Sequence, residues 1–552
     1  MLGFSDGFIG DALMLKFLAV ETWQRGGRRV FWYIEKAFDA AFGPAINPFY
    51  HLGALLFYLF WIVTASGIYV YIFFETGIDG AYRSVEYLTN TQWYLGGVAR
   101  SLHRYASDGM VALVLLHIAR EFTLDRYRGV RWYSWVIGAF LLWLLYASGI
   151  TGYWLVWDRL AQYVAITTSE WFDWLGIFGE PIARNFLSNA SVNDRFFSLM
   201  SFMHIAIPLF LLLGMWIHLQ RITSPRTNPP RAIMAGTLFS LLLLAFVYPA
   251  LSQGPANLDT VYGTVRPDWF YLSIYPLIEK WSPGTVWALV GGGTLILLLL
   301  PWLPRRKEQP AAIVNLENCN GCGRCFADCP FSAVVLQPRT DGLPFETEAV
   351  VDPNLCTRCG ICAGACPTST PFRRTIELNP GIDLPGFPVR ALREQTLAAT
   401  AKLSGTERVM VYGCSFGASI KSLDGHGVAT LVVPCIGAIP PSFIDFIISR
   451  RHADGVILAG CTEGDCYQRL GIEWTKQRME GRRDPVLRRH VPRRRVAAVW
   501  AGKTGGAMLL RELEEFRAQL RALGPYHRGG TTPPAAPTPH PLEARDGAYR
   551  LG

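Results

Sequence analysis

Eight cysteines fall in two copies of one spacing. Cys319, Cys322, Cys325 and Cys329 precede Pro330, and Cys356, Cys359, Cys362 and Cys366 precede Pro367, each reading C-x2-C-x2-C-x3-C-P. Thiolates so spaced wrap a cubane cluster with three ligands and reach to a second cluster with the fourth. Cys319, Cys322, Cys325 and Cys366 are therefore assigned to one [4Fe–4S] cluster. Cys356, Cys359, Cys362 and Cys329 are assigned to another. Zinc also takes clustered cysteines, but its motifs lack this eight-cysteine pattern with trailing prolines.

Four histidines carry a second chemistry. His103 and His117 lie in one apolar stretch, His204 and His218 in another, each pair 14 residues apart. On a helix that spacing is nearly four whole turns and a rise of about 21 Å, so both members of a pair share a face. Two such helices running in the same direction set His103 against His204 and His117 against His218. Ionisable groups within spans are functional by default. Two stacked bis-histidine sites in a helical bundle point to two b-type haems; four ordinary core histidines are the competing reading. Gly53 and Gly67, and Gly138 and Gly152, repeat the 14-residue spacing on two further helices. A missing side chain at each level leaves room for a flat macrocycle, although close helix packing in membranes also favours glycine.

Four more cysteines occur later. Cys414, Cys435 and Cys461 each follow or end a strand-like run (408–412, 429–434, 455–459), and Cys466 lies in the next loop. With a fourth run at 496–500 and helical stretches between, residues 405–522 read as an α/β domain with a parallel sheet. Ligand sites in such sheets gather at the strand C-termini. Four thiolates converging there suit a [2Fe–2S] cluster; scattered structural cysteines are the alternative.

The elements that must hold these residues divide the chain in two. The 552 residues are 51% hydrophobic and 17% charged, with a formal net charge of +9. Residues 1–304 hold 20 Lys and Arg against 19 Asp and Glu, and 16 of the 18 Trp; residues 305–552 hold 32 against 24, and all 12 Cys. Disorder and a small disulfide scaffold are excluded for most of the chain. Six segments are long and apolar enough to span a bilayer, roughly 51–74, 98–119, 134–156, 199–220, 232–252 and 284–303. Basic loops (Lys16 to Lys36, Arg120 to Arg131, Arg221 to Arg231, Arg305 to Lys307) alternate with slightly acidic ones. The positive-inside rule then places both termini and all the cysteines on the cytoplasmic side of an inner membrane, where disulfides are disfavoured. Residues 1–48 form an N-terminal segment with an interfacial helix at about 10–42. Residues 1–11 lack the pattern of a cleavable leader, so none is expected. Residues 524–552, rich in Pro, Gly and Thr, read as a flexible tail. Seven Arg between Arg482 and Arg495 read as a solvated face, or as a surface for an acidic redox partner or anionic lipid. No motif accompanies them that would read nucleic acid.

Residues 49–304 resemble the cytochrome b of quinol-oxidising cytochrome bc complexes. The resemblance rests on the four His and four Gly, on Arg100 three residues before His103 and Arg120 three after His117, on Gly152-Tyr153, and on Pro267-Asp268-Trp269-Phe270. It implies that Arg100 and Arg120 meet haem propionates. It also implies that Asp268, where the family has Glu, accepts a quinol proton at an outer quinone site. The six spans are two fewer than the family's, the usual inner quinone-site residues are not identifiable, and the membrane half has no Cys for a covalent haem. Residues 310–378 resemble two-cluster ferredoxins. Residues 405–522 resemble the delta subunit of methyl-viologen-reducing hydrogenase, through Gly413-Cys414, Pro434-Cys435-Ile436-Gly437 and Gly460-Cys461-Thr462-Glu463-Gly464-Asp465-Cys466, with Tyr467 where that family usually has His.

The expected fold is thus multidomain: an all-α transmembrane dihaem cytochrome b bundle, a ferredoxin-like α+β domain and an α/β iron–sulfur domain. The expected function is an oxidoreductase subunit. A cytoplasmic partner, a flavoprotein of heterodisulfide-reductase type or a hydrogenase, would meet the [2Fe–2S] domain. The two cubanes would follow, then the two haems, then the quinone pool at Asp268. A homodimer is compatible with the sequence, which sets no direction of electron flow. Two alternatives stand: a haem conduit to a periplasmic cytochrome with a vestigial quinone site, and a membrane anchor or redox sensor for a soluble complex.

Overall fold

A computed structural model describes residues 6–177, 192, 194–261, 263–268, 270–303, 309–372 and 378–526. The expected flexible tail from 527 onward, the basic exit at 305–307 and Trp269 lie outside the described residues.

The N-terminal half is helical: α1 (Asp6–Phe42), α2 (Leu52–Phe73), α3 (Gly80–Glu86), α4 (Val98–Thr123), α5 (Trp132–Val156), α6 (Arg159–Asp173), α7 (Asp194–Leu219), α8 (Arg231–Val247), α9 (Ile274–Trp281) and α10 (Pro283–Leu299). Among the described residues, four stretches combine the length and apolarity of a membrane span: Pro48–Phe73, Gly129–Val156, Asp194–Leu219 and Pro283–Trp302. The other two expected spans are present with a difference. α4 is 26 residues long but carries Arg100, Arg104, Asp108 and Arg120, which lower its apolarity. α8 is apolar but only 17 residues long. Helix α7 leaves Phe202, Leu209, Phe210, Leu213 and Trp216 exposed. Such an apolar outer surface is stable only against lipid.

Helix α2 packs along α4, and α5 along α7. These two pairs bring each glycine helix against a histidine helix. The expected interfacial helix is α1, whose Gln24 donates to the Phe122 carbonyl at 3.0 Å and whose Arg28 donates to Thr123 O at 3.1 Å. It therefore caps the end of α4 near His117.

The C-terminal half contains the strands. An antiparallel pair joins β1 (Ile313–Val314) to β4 (Ile382–Asp383), and a second joins β2 (Val334–Pro338) to β3 (Thr347–Val351). Two five-residue helices, Arg324–Asp328 and Ile361–Ala365, carry the third cysteine of each motif. Strands β5 (Val409–Cys414), β6 (Val428–Val433), β7 (Gly455–Gly460) and β8 (Val496–Trp500) form one fully parallel sheet in the order β6-β5-β7-β8. Strands β5 and β7 are buried at every residue, as expected of central strands covered on both faces. All four expected strands are present, within one or two residues of the expected bounds.

Candidate redox centres

At the level of His103 and His204 the two rings face each other with centroids 6.1 Å apart. Two metal–nitrogen bonds of about 2 Å plus the two ring radii come to about that separation. Each ring is fixed from behind: His103 Nδ1–H donates to Val63 O and His204 Nδ1–H to Ser148 O, both at 2.9 Å. A carbonyl only accepts, so Nδ1 carries the proton and Nε2 keeps its lone pair for a metal.

The glycines act differently from the expectation. A Cβ on Gly67 would lie 2.7 Å from His103 Cε1, and one on Gly152 would lie 2.8 Å from His204 Cε1. At the other level, Gly138 would approach His218 at 3.4 Å and Gly53 would approach His117 at 3.8 Å. Each glycine thus seats an imidazole, and it does so most tightly at the His103/His204 level.

His117 and His218 line a cavity of about 400 Å³, together with Gly53, Gly138 and several arginines. At the His117/His218 level the histidines, the glycines behind them and this apolar, arginine-rimmed space fit haem b; at the other level the opposed His103 and His204 rings fit bis-histidine ligation.

Arg100 and Arg120 are engaged within the protein. Arg100 donates to Ser252 Oγ at 2.8 Å and also to Thr89 Oγ1. Arg120 donates Nε–H to Glu35 at 2.8 Å and Nη2–H to Asp465 at 2.7 Å. The residue expected at a propionate is therefore paired with two carboxylates, one of them from the C-terminal half.

Asp268 lies near the His103/His204 level. Its Oδ1 accepts from the backbone N–H of Phe270 at 2.8 Å and Tyr271 at 3.0 Å; its Oδ2 accepts from Arg104 at 2.6 Å. Burial works against its charge. The backbone donors of Tyr271 and Phe270 and the Arg104 guanidinium outweigh it and hold the carboxyl below its ordinary range. Arg104 also pairs with Asp108 at 3.0 Å and lies over the Tyr153 ring. Tyr271 inserts its hydroxyl where a Cβ on Gly149 would sit 1.7 Å away, and donates to Leu145 O. The Gly149 contact has no sequence signal beyond the glycine itself.

Cys319, Cys322, Cys325 and Cys366 line one small cavity of about 20 Å³, the set assigned to the first cubane. Burial, then the Cys366, Cys322 and Cys319 thiols, push Cys325 up to about 12. Cys362 is buried beside Cys359, Cys356 and Cys329, the second set. Among the last four, Cys414 Sγ lies 3.4 Å from Cys461 Sγ. A Cβ on Gly471 would meet Cys435 Sγ at 2.3 Å and Cys466 Sγ at 3.6 Å. The chemistry of each donor set, soft and closely grouped thiols, fits iron–sulfur clusters.

The four-cysteine set touches both of its neighbours. Cys435 packs with Cys359 and Ile361, beside the second cubane set. Cys466 lines the His117/His218 cavity. Cys329 of the second cubane set also borders the membrane half, its carbonyl accepting from Thr223 Oγ1 at 3.0 Å, so both sets lie against the helices. The loop Cys461–Cys466 folds back onto the 120–131 region.

Tyr467 is central to that return. It stacks on Phe416 with ring centroids 3.4 Å apart, donates its hydroxyl to Asp125 O, and lies under Arg126 and Arg131. Gly464, at φ +89°, passes so close to His51 that a Cβ would sit 3.1 Å from its Cε1. Asp465 is enclosed by Arg120 and by Arg126 at 2.6 Å. The second cubane set is held by Trp474, which donates to Asp328 O at 3.1 Å, and by Arg478, which pairs with Asp328.

Comparison with known proteins agrees with this division. Residues 38–225 match the family model for cytochrome b/b6/petB, residues 318–370 that for the 4Fe-4S dicluster domain, and residues 418–524 that for the methyl-viologen-reducing hydrogenase delta subunit. The third match begins after Cys414. The chain is 30% identical over 191 residues to a cytochrome b6 of Porphyra purpurea, covering 34% of this chain and 87% of that one. A solved structure titled hyperthermophilic respiratory Complex III aligns at a TM-score of 0.39 and 21% identity, over 46% of this chain and 75% of that one.

Proposed function

Because the chain belongs to the cytochrome b/b6 family, and is therefore a membrane electron-transfer protein with haem b and [4Fe–4S] domains, we propose that it couples the membrane quinone pool to a cytoplasmic redox partner. His103 with His204, and His117 with His218, would hold two b haems. The two cubane sets would hold [4Fe–4S] clusters, and Cys414, Cys435, Cys461 and Cys466 a [2Fe–2S] cluster. When bound, these groups supply one-electron carriers. The observation that carries this reading is the placement of Cys466 in the wall of the His117/His218 cavity, which sets the soluble thiols and the membrane histidines in series.

The chain's own residues supply proton handling and position. Asp268, ionised and close to the His103/His204 level, is the base for one quinol proton, and it must leave Arg104 to take it. Glu35, Asp465, Arg120 and Arg126 lock the soluble half onto the helices. Both iron–sulfur domains and both termini lie on the cytoplasmic side of an inner membrane, following the loop charges.

The partner meets the first cubane set. Cys322 is its exposed member, whereas the four-cysteine set faces the helices. A flavoprotein of heterodisulfide-reductase type or a hydrogenase fits this role.

The test is optical. Quinol added to the oxidised protein should promptly reduce the haem α-band, and Asp268→Asn should slow that reduction by about 100-fold or more. A second reading, a conduit to a periplasmic cytochrome, draws on the fact that both Asp268 oxygens are already occupied. It requires the Asn variant to leave the haem reduction rate unchanged.

A further inference from the structure

The cavity beside His117 and His218 carries more positive charge than its own carboxylates neutralise. Arg120 and Arg126 are paired with Asp465. Glu121, also in the lining, lies 3.7 Å from Arg126; Glu463 is taken by Lys476, and Glu473 accepts from Gln477. Arg131 donates to the Tyr467 carbonyl and lies over aromatic rings, and Arg221 lies over Trp132 and Tyr133. Arg226 and Arg469 have no carboxylate partner among the described residues, and both line the cavity. The Nε of Arg469 is buried with no hydrogen-bond partner. A buried cation among cations is unfavourable unless an anion joins it.

The backbone at Arg469 is also set deliberately. Its φ is +63°, the left-handed region, which a side chain larger than Asn or Asp seldom adopts. The turn is closed by Arg469 N–H donating to Cys466 O at 2.8 Å. Strain of this kind persists only where surrounding contacts over-determine it, and it concentrates at ligand sites. Here it turns a guanidinium toward the cavity three residues after a cluster cysteine.

We propose that Arg469, aided by Arg226, binds the propionate carboxylates of the haem held by His117 and His218, so that the iron–sulfur domain supplies part of the haem pocket. This rests on the dihaem reading above. It replaces the role that the cytochrome b resemblance implied for Arg120, whose guanidinium is committed to Asp465 and Glu35. An anionic lipid headgroup offers similar chemistry. The histidine pair in the same cavity wall favours the haem.

The experiment uses the purified full chain, with both b haems followed through an optical redox titration. The haem at this level is identified as the one lost in His218→Ala. A guanidinium beside the propionates favours electron uptake, so Arg469→Gln should lower that haem's midpoint potential. The His103/His204 haem should stay unchanged, and Arg469→Lys should stay near wild type. Cluster iron content reports whether the domain is folded. Should Arg469→Gln lose iron, Arg226→Gln on the membrane half carries the same test. Two haems with an unmoved potential in Arg469→Gln would overturn the proposal while leaving the dihaem reading intact. An unmoved potential with loss of co-purified phospholipid would overturn it in favour of lipid. A wild-type chain binding no haem would remove the dihaem reading and the proposal together.

Discussion

Asp465 and Arg120 form an ion pair at 2.7 Å across 345 residues of sequence. One lies in the last cysteine loop, the other at the end of the helix that carries His103 and His117. Arg126 closes on the same carboxylate at 2.6 Å. Removing one member of a buried network leaves the others uncompensated, at a cost of about 3–5 kcal/mol. Asp465→Asn should therefore loosen the soluble half from the helices. Limited proteolysis between residues 304 and 309, with the released fragment still holding its iron, would show it; a cleavage rate equal to wild type would count against the docking role.

The glycine contacts make a graded prediction. Gly67→Ala and Gly152→Ala push a methyl group into an imidazole, a strain of about 1–3 kcal/mol. Each should reduce haem content at the His103/His204 level. Gly53→Ala, at ordinary contact distance from His117, should retain both haems. Haem-to-protein stoichiometry decides this, and equal loss in all three variants would contradict it.

The place of Cys466 in the wall of the His117/His218 cavity predicts where electrons stop. With a reductant that enters at the cubanes, Cys466→Ser should leave both [4Fe–4S] signals reducible and the haems oxidised. Were the four-cysteine set at the distal end, as domain order along the chain implies, the haems would still reduce. Freeze-quench EPR alongside the haem α-band separates the two results.

The proposed role of Asp268 as quinol base makes a pH prediction. Its carboxyl is held below the ordinary value of about 3.9. A depressed folded value means that the ionised clamp with Arg104 is fully present above about pH 4 and is lost as pH falls through the lowered value. Asp268-dependent haem reduction by quinol should therefore show no loss of this base between neutral pH and about pH 4. Asp268→Asn should slow it by about 100-fold or more, the range of a positioned base. A midpoint near pH 6 in the rate profile would contradict this assignment.

Much of the site was legible because its signals are local. The C-x2-C-x2-C-x3-C-P runs and the 14-residue His and Gly spacings follow from helix pitch and cluster geometry, and the structure brings those residues together in the expected sets. The four parallel strands were legible from their buried apolar runs. What escaped is tertiary. The Asp465–Arg120–Arg126 pairing, the stacking of Tyr467 on Phe416, and the seat of Tyr271 over Gly149 join residues far apart in sequence. The role implied for Arg120 failed to anticipate Asp465, because resemblance over the helices carries no information about a domain fused beyond them. Of the two expected spans that differed, α4 trades apolarity for Arg104 and Asp108, which meet at the Asp268 level, and α8 is apolar but only 17 residues long.

Arg469, Cys466 and their neighbours in the C-terminal half close one side of a cavity whose histidines, His117 and His218, stand on transmembrane helices. The ribosome completes those helices more than 160 residues before it makes Arg469. The pocket around His117 and His218 is therefore unfinished throughout membrane insertion, and it closes only when the C-terminal domain docks. Biogenesis acquires a built-in sequence of events: helices first, then a folded, thiol-bearing domain, then a sealed porphyrin pocket.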